Sequence, residues 1–144
     1  MLEIREMQES DIDAVCELEE ATFSMPWRRQ DFVDMLEQDH LLYLVALFGN
    51  IIVGGCGMRN IVGEAEITNV AVGEAYRNRG FGKKMLKALL ERGRKMGITA
   101  FTLEVRQSNL AAIHVYEELG FVSEGIRKDF YEKPRENAVI MWKR

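Results

Sequence analysis

Residues 77–82 read Arg77-Asn78-Arg79-Gly80-Phe81-Gly82. Before them lies a β-rich run, Ala65–Val72. After them an apolar three-to-four spacing predicts a helix to about Met96, closed by Gly97. Two glycines and two arginines at a helix mouth suit an anion. The glycines let backbone N–H groups turn outward, the helix dipole adds partial positive charge, and the arginines add full charge at the rim. A following strand, Ala100–Val105, makes this a strand–helix–strand unit, so 65–72 and 100–105 should run parallel. The glycine loop then sits at the carboxyl end of the first strand, where open α/β sheets bind ligands.

Two familiar phosphate loops do not fit. A Walker loop needs a hydroxyl after Gly-Lys, and here Gly82-Lys83 is followed by Lys84. A dinucleotide fingerprint needs a third glycine, and its position holds Met85. What remains is R-x-x-G-x-G.

Working outward, residues 2–7 alternate as a short strand. Ser10-Asp11 opens a helix with Ile12, Val15, Leu18 and Thr22 on one stripe. Ser24-Met25-Pro26-Trp27 breaks it, and a second helix spans about Arg29–Gln38. The uncharged run 41–58 is long enough to raise a membrane helix. Gly49-Asn50 at its centre is a hairpin signal, and four glycines oppose a helix, so it reads as strands 42–48 and 51–58. A turn is expected at Gly63-Glu64. Ser108 or Asn109 should cap a helix to Leu119 that Gly120 closes, and 121–131 with 138–142 should form a last hairpin. The order βααβββαβαββ implies an α/β fold: a mixed, mostly antiparallel sheet with one parallel pair and helices on both faces. At 144 residues, with no linker and no repeat, 1–144 reads as a single domain.

The net charge of −4 conceals an asymmetry. Residues 1–48 are predominantly acidic and residues 77–106 predominantly basic. Positive charge confined to one place suits a small polyanion or a solvated basic helix face, and charge counts do not choose between the two; an overall acidic chain argues against a nucleic-acid partner. Cys16 and Cys56 lie within apolar patterns and read as buried thiols of a reducing compartment. A cytoplasmic protein with no membrane partner is expected. Two His and two Cys at no ligand spacing imply no metal.

Downstream lies Asn109-x-x-Ala112-x-x-x-Tyr116-x-x-x-Gly120-Phe121, with Leu103-Glu104-Val105-Arg106 before it and Ala138-Val139-Ile140-Met141-Trp142 at the end. With R-x-x-G-x-G these segments resemble the GNAT superfamily of acyl-CoA-dependent N-acetyltransferases, over essentially the whole chain. Their combination, with Met25-Pro26-Trp27, is similar to the RimI-type branch that acetylates ribosomal-protein N-terminal alanine. Many relatives carry an acidic residue where this chain has Asn137, which leaves the substrate end less defined.

The resemblance implies a GNAT fold whose parallel strands splay apart. It implies acetyl-CoA as cosubstrate, its pyrophosphate on Arg77, Asn78, Arg79, Gly80, Phe81, Gly82 and Lys83. The pantetheine arm would lie along the backbone of Val70, Ala71 and Val72 and beside Asn109, as an added pseudo-strand. Glu104 would be the base, directly or through a water, and Tyr116 the proton donor to the leaving thiolate. Trp27 and Tyr131 would flank the acceptor, a protein N-terminus. The family chemistry also allows a lysine side chain or a small amine as acceptor, and a catalytically idle acyl-CoA-binding module is a further alternative. A monomer or weak homo-oligomer is expected. From residues alone, Glu104 reads first as a strand carboxylate that pairs with Arg106 or Lys133 or faces water, and Tyr116 as a core aromatic. Trp27 and Tyr131 could simply pack loop against sheet.

Overall fold

The computed structural model describes residues 1–144. Strand β1 (Leu2–Glu6) leads through a 3₁₀ turn into α1 (Ile12–Thr22) and then α2 (Arg29–Glu37). Strands β2 (Leu41–Phe48), β3 (Ile51–Ile61) and β4 (Glu64–Val72) follow, then α3 (Phe81–Lys95), β5 (Ala100–Arg106) and α4 (Leu110–Glu118). Strands β6 (Val122–Tyr131) and β7 (Glu136–Lys143) close the chain. All seven strands form one sheet in the order β1-β2-β3-β4-β5-β7-β6, parallel only between β4 and β5. No helix is long and apolar enough to cross a membrane. The uncharged run instead forms β2 and β3, turning at Gly49 and Asn50, whose φ values of 60° and 68° suit a tight hairpin. The next turn sits one residue earlier than expected. Val62 and Gly63 carry the positive φ, the Asn60 side chain accepts from the Gly63 N–H at 3.0 Å, and Glu64 already belongs to β4.

Alternation sends the two faces of the sheet into two cores. Leu42, Leu44 and Ala46 of β2 join the larger one, with Met85, Leu86 and Leu89 of α3 and Tyr116 of α4. Tyr43, Val45 and Leu47 join the smaller one, with Ile12 and Val15 of α1 and Phe32 and Met35 of α2. Each such large apolar side chain removed from water contributes about 1.5–3 kcal/mol. Helices therefore cover both faces, α1 and α2 on one, α3 and α4 on the other.

Two features open the sheet at its centre. Pairing of β4 with β5 covers only Glu64–Glu66 against Ala100–Thr102. Just beyond, β4 carries a bulge: Gly57 of β3 faces Asn69 and Met58 faces Ile67, leaving Thr68 as the extra residue. A bulge bends and twists its strand, here where β4 leaves β5. The carboxyl half of β4 stays hydrogen-bonded to β3 but presents a free edge toward β5.

Candidate functional site

The glycine loop lies at the end of this opened strand. Asn78 and Gly80 have φ of 64° and 77°. Gly80 is the N-cap of α3, in the left-handed region that glycine enters without a Cβ penalty, and it has no side chain to cap the helix. The first-turn N–H groups of α3, which precede the Lys84 N–H to Gly80 carbonyl bond, therefore have no intrahelical acceptor and point outward. Arg77 donates from Nε to the Val72 carbonyl at 3.0 Å, binding the loop to the end of β4. The Arg79 guanidinium lies 5.6 Å from the Tyr76 ring centroid. Lys83 sits 3.7 Å from Glu118, joining the start of α3 to the end of α4. Phe81 is buried in the larger core, and Val70 and Val72 pack against it.

On β5, Leu103 and Val105 face the larger core, so Glu104 between them faces the other way. There it lines a cleft of about 480 Å³ with Trp27, Met35, Thr68, Phe130 and Tyr131. Its partner is neither Arg106 nor Lys133. Arg106 is spent on Glu136 (3.2 Å) and on the carbonyls of Glu132 and Pro134, and it stacks on the Tyr131 ring at 4.5 Å. Glu136 also accepts from the Ser108 N–H, and Ser108 followed by Arg106 holds its carboxyl below the usual range. Glu104 instead meets Arg127 of β6, with 3.2 Å between Oε2 and Nη1. The pair is close but misaligned, and buried Oε2 makes no hydrogen bond. Burial pushes the Glu104 carboxyl up, and Arg127 partly opposes it.

Tyr116 lies on the opposite face. Its ring is buried and meets Phe121 edge-on at 5.9 Å. Burial pushes its phenol up, with Tyr131 adding to the effect. Tyr131, in the cleft with Glu104, is itself pushed up to about 12 by burial and by Glu104. Asn109 caps α4, accepting from the Ala112 N–H at 3.2 Å, which contributes about 1 kcal/mol. Asn137 has a structural use: its Oδ1 accepts from the Asp129 N–H at 2.9 Å, where Asp129 takes φ of 53° in the irregular end of β6. No group of three His, Cys, Asp or Glu stands close enough to hold a metal ion.

Thus Trp27, Glu104 and Tyr131 come together in one cleft, while the loop residues, Asn109 and Tyr116 gather on the far side of the sheet. Arg127, Thr68 and Glu19 belong to the cleft region and were not singled out from sequence. Glu19 alone left a signal, a carboxylate on the α1 stripe one turn after Val15.

Residues 12–121 match the acetyltransferase (GNAT) family. The chain belongs to that family. It is 34% identical over 140 residues, 96% of this chain and 93% of the other, to the putative ribosomal protein bS18 alanine N-acetyltransferase of Bacillus subtilis (strain 168). It is 35% identical over 141 residues, 96% of this chain and 97% of the other, to the ribosomal protein bS18 alanine N-acetyltransferase of Haemophilus ducreyi. The crystal structure of the ribosomal-protein-S18-alanine N-acetyltransferase from Escherichia coli superposes with a TM-score of 0.91 at 30% identity, over 99% of this chain and 93% of that one.

Proposed function

We propose that residues 1–144 act as one unit that acetylates a protein N-terminus, the acceptor being the N-terminal alanine of a small-subunit ribosomal protein, by direct transfer in a ternary complex. The names of the relatives support the acceptor. The observation that carries the chemistry is Glu104, held at the open end of the β4/β5 pair with an unsatisfied oxygen in a cleft.

Acetyl-CoA fits the opposite face. The open N–H groups of α3 suit a pyrophosphate, with Arg77, Asn78, Arg79, Gly80, Phe81, Gly82 and Lys83 around it. The free edge of β4 at Val70, Ala71 and Val72 suits an amide-bearing arm, and Asn109 stands at the same end. Bound there, acetyl-CoA supplies an activated acyl group, whose C–S bond breaks as the C–N bond forms. Glu104 takes a proton from the acceptor nitrogen, directly or through a water. Burial makes it a stronger base than an exposed carboxylate. Tyr116, a phenol and so protonated at neutral pH, donates a proton to the departing sulfur. Trp27 and Tyr131 wall the acceptor groove. The two free cysteines support a reducing, cytoplasmic setting.

An α-amine has a reference pKa of ~7.7–8.0 and a lysine amine ~10.4, so at neutral pH the former is uncharged roughly 10²–10³ times more often. One carboxylate suffices for the α-amine. The test compares an alanine-starting ribosomal-protein peptide with the same peptide blocked at its N-terminus but carrying free lysines. With labelled acetyl-CoA and mass spectrometry, label should map to the first α-amine and be nearly absent from the blocked peptide. Equal or faster labelling of the blocked peptide rejects the N-terminal reading.

A further inference from the structure

Three polar or charged side chains are buried: Asp11, Glu19 and Asn69. Asp11 has Arg5 beside it at 2.7 Å. Glu19 is only 3% exposed and pairs with no cation. Its position continues the stripe of Ile12 and Val15, where a leucine would pack without losing hydration. The fold alone therefore gives no reason for a carboxylate here, and burial pushes its pKa up.

Its contacts give one. Oε2 accepts the Trp27 backbone N–H at 3.1 Å. Oε1 accepts from Asn69 Nδ2 at 3.1 Å, and Asn69 Oδ1 accepts from Thr68 Oγ1 at 2.8 Å. Trp27 and Thr68 both line the cleft, Trp27 on the loop between α1 and α2, Thr68 as the bulged residue of β4. One carboxylate thus ties two walls of the cleft, from segments 50 positions apart between Glu19 and Asn69. Both oxygens face donors, an arrangement an apolar side chain cannot supply.

We propose that Glu19 is a positioning residue for the acceptor: it holds the Trp27 loop against the bulge of β4 and so sets the width of the groove. It acts through Trp27 and Thr68 and touches neither substrate. The proposal rests on reading the cleft as the acceptor groove. The α3 loop and the β4 edge from Val70 onward lie outside the tether, so acetyl-CoA binding should not depend on it.

The test is steady-state kinetics on the full chain with an alanine-starting peptide and acetyl-CoA. Glu19→Met keeps the volume and the apolar stripe but removes both acceptors. The peptide KM should rise about tenfold, equivalent to about 1.4 kcal/mol, with the acetyl-CoA KM within about twofold. Glu19→Gln should recover most of the loss. Its carbonyl can serve Trp27 while its NH₂ donates to an Asn69 amide turned over by half a rotation. An unchanged peptide KM in Glu19→Met, or parallel rises in both KM values, would overturn the proposal in favour of a packing role. A Glu19→Gln variant as impaired as Glu19→Met would overturn it in favour of charge. If Glu19→Met does not fold, Asn69→Ala cuts the second arm alone and should raise the peptide KM several-fold; no rise is again contrary. Wild-type turnover on the peptide tests the activity itself, so failure of that reading is seen separately.

Discussion

Arg127 Nη1 lies 3.2 Å from Glu104 Oε2, yet the guanidinium is aimed poorly enough that the buried oxygen has no hydrogen bond. Arg127 is about half exposed and also lies over the Phe130 ring, at 5.2 Å. Such a contact tunes charge without locking the carboxylate in place. Glu66 pushes Glu104 the other way, and Tyr131, Arg59, Asp31 and Asp34 share the cleft. Removing the one cation that opposes burial should raise the Glu104 pKa further. In Arg127→Met, carbon-detected NMR of the Glu104 carboxyl should show that rise, and Arg127→Lys should restore most of the wild-type value. An unshifted titration in Arg127→Met would mean solvent, not Arg127, sets the ionisation.

Glu104→Gln should separate activity from stability. An amide in place of the proposed base cannot accept the amine proton, and general-base catalysis is typically worth about 10²–10⁴-fold, the loss of turnover expected. Stability should move the other way. Because the folded-state pKa is raised, ionised Glu104 opposes folding. That opposition is absent below the unfolded carboxylate pKa of ~4.3 and develops as pH rises through the folded value. Thermal melts should therefore show Glu104→Gln gaining on wild type at pH 7.5, with the gap closing toward pH 4. A gap that stays constant with pH would remove ionisation as its cause.

Tyr116→Phe should leave the fold almost untouched. The ring keeps its edge-on contact with Phe121 and its place in the larger core, and no bond to the rest of the chain is lost with the hydroxyl. Turnover at saturating substrates should fall about 10²–10⁴-fold, with little change in acetyl-CoA affinity by calorimetry. Wild-type turnover under conditions limited by chemistry would return Tyr116 to a purely core role.

What the sequence exposed and what it hid divide along range. The stripe Ile12, Val15, Leu18 and the hairpin at Gly49-Asn50 are local, within a turn or two of helix or strand, and appear as read, and of the two caps the sequence offers, Ser108 and Asn109, the structure uses Asn109. The parallel pair was also legible, from one strand–helix–strand unit. The bulge at Thr68 was not. It exists only in the mismatch between β3 and β4, where Gly57 and Met58 face Asn69 and Ile67. The pairing of Glu104 with Arg127 was hidden for the same reason. It depends on β7 lying between β5 and β6, an order that strand count does not dictate. Arg106, two residues from Glu104 in the chain, is drawn to Glu136 instead.

Gly82 offers a clean test of the loop. A Cβ built there meets only Val72 Cγ2, at 3.6 Å, an ordinary contact, so the chain itself tolerates a methyl group. Gly82→Ala therefore serves as the steric control, and should fold as wild type. At Gly82→Asp the Cβ has the same room, and an acidic residue in the first turn favours the helix dipole. The same carboxylate fills and neutralises the site where the open N–H groups of α3 would meet a pyrophosphate. Stability should thus hold or rise by a few tenths of a kcal/mol, while acetyl-CoA affinity falls at least about tenfold, equivalent to about 1.4 kcal/mol. Calorimetry with acetyl-CoA, alongside circular dichroism, measures both in one preparation. Loss of binding in Gly82→Ala equal to that in Gly82→Asp would point to crowding of the loop. Undiminished affinity in Gly82→Asp would move the pyrophosphate away from α3.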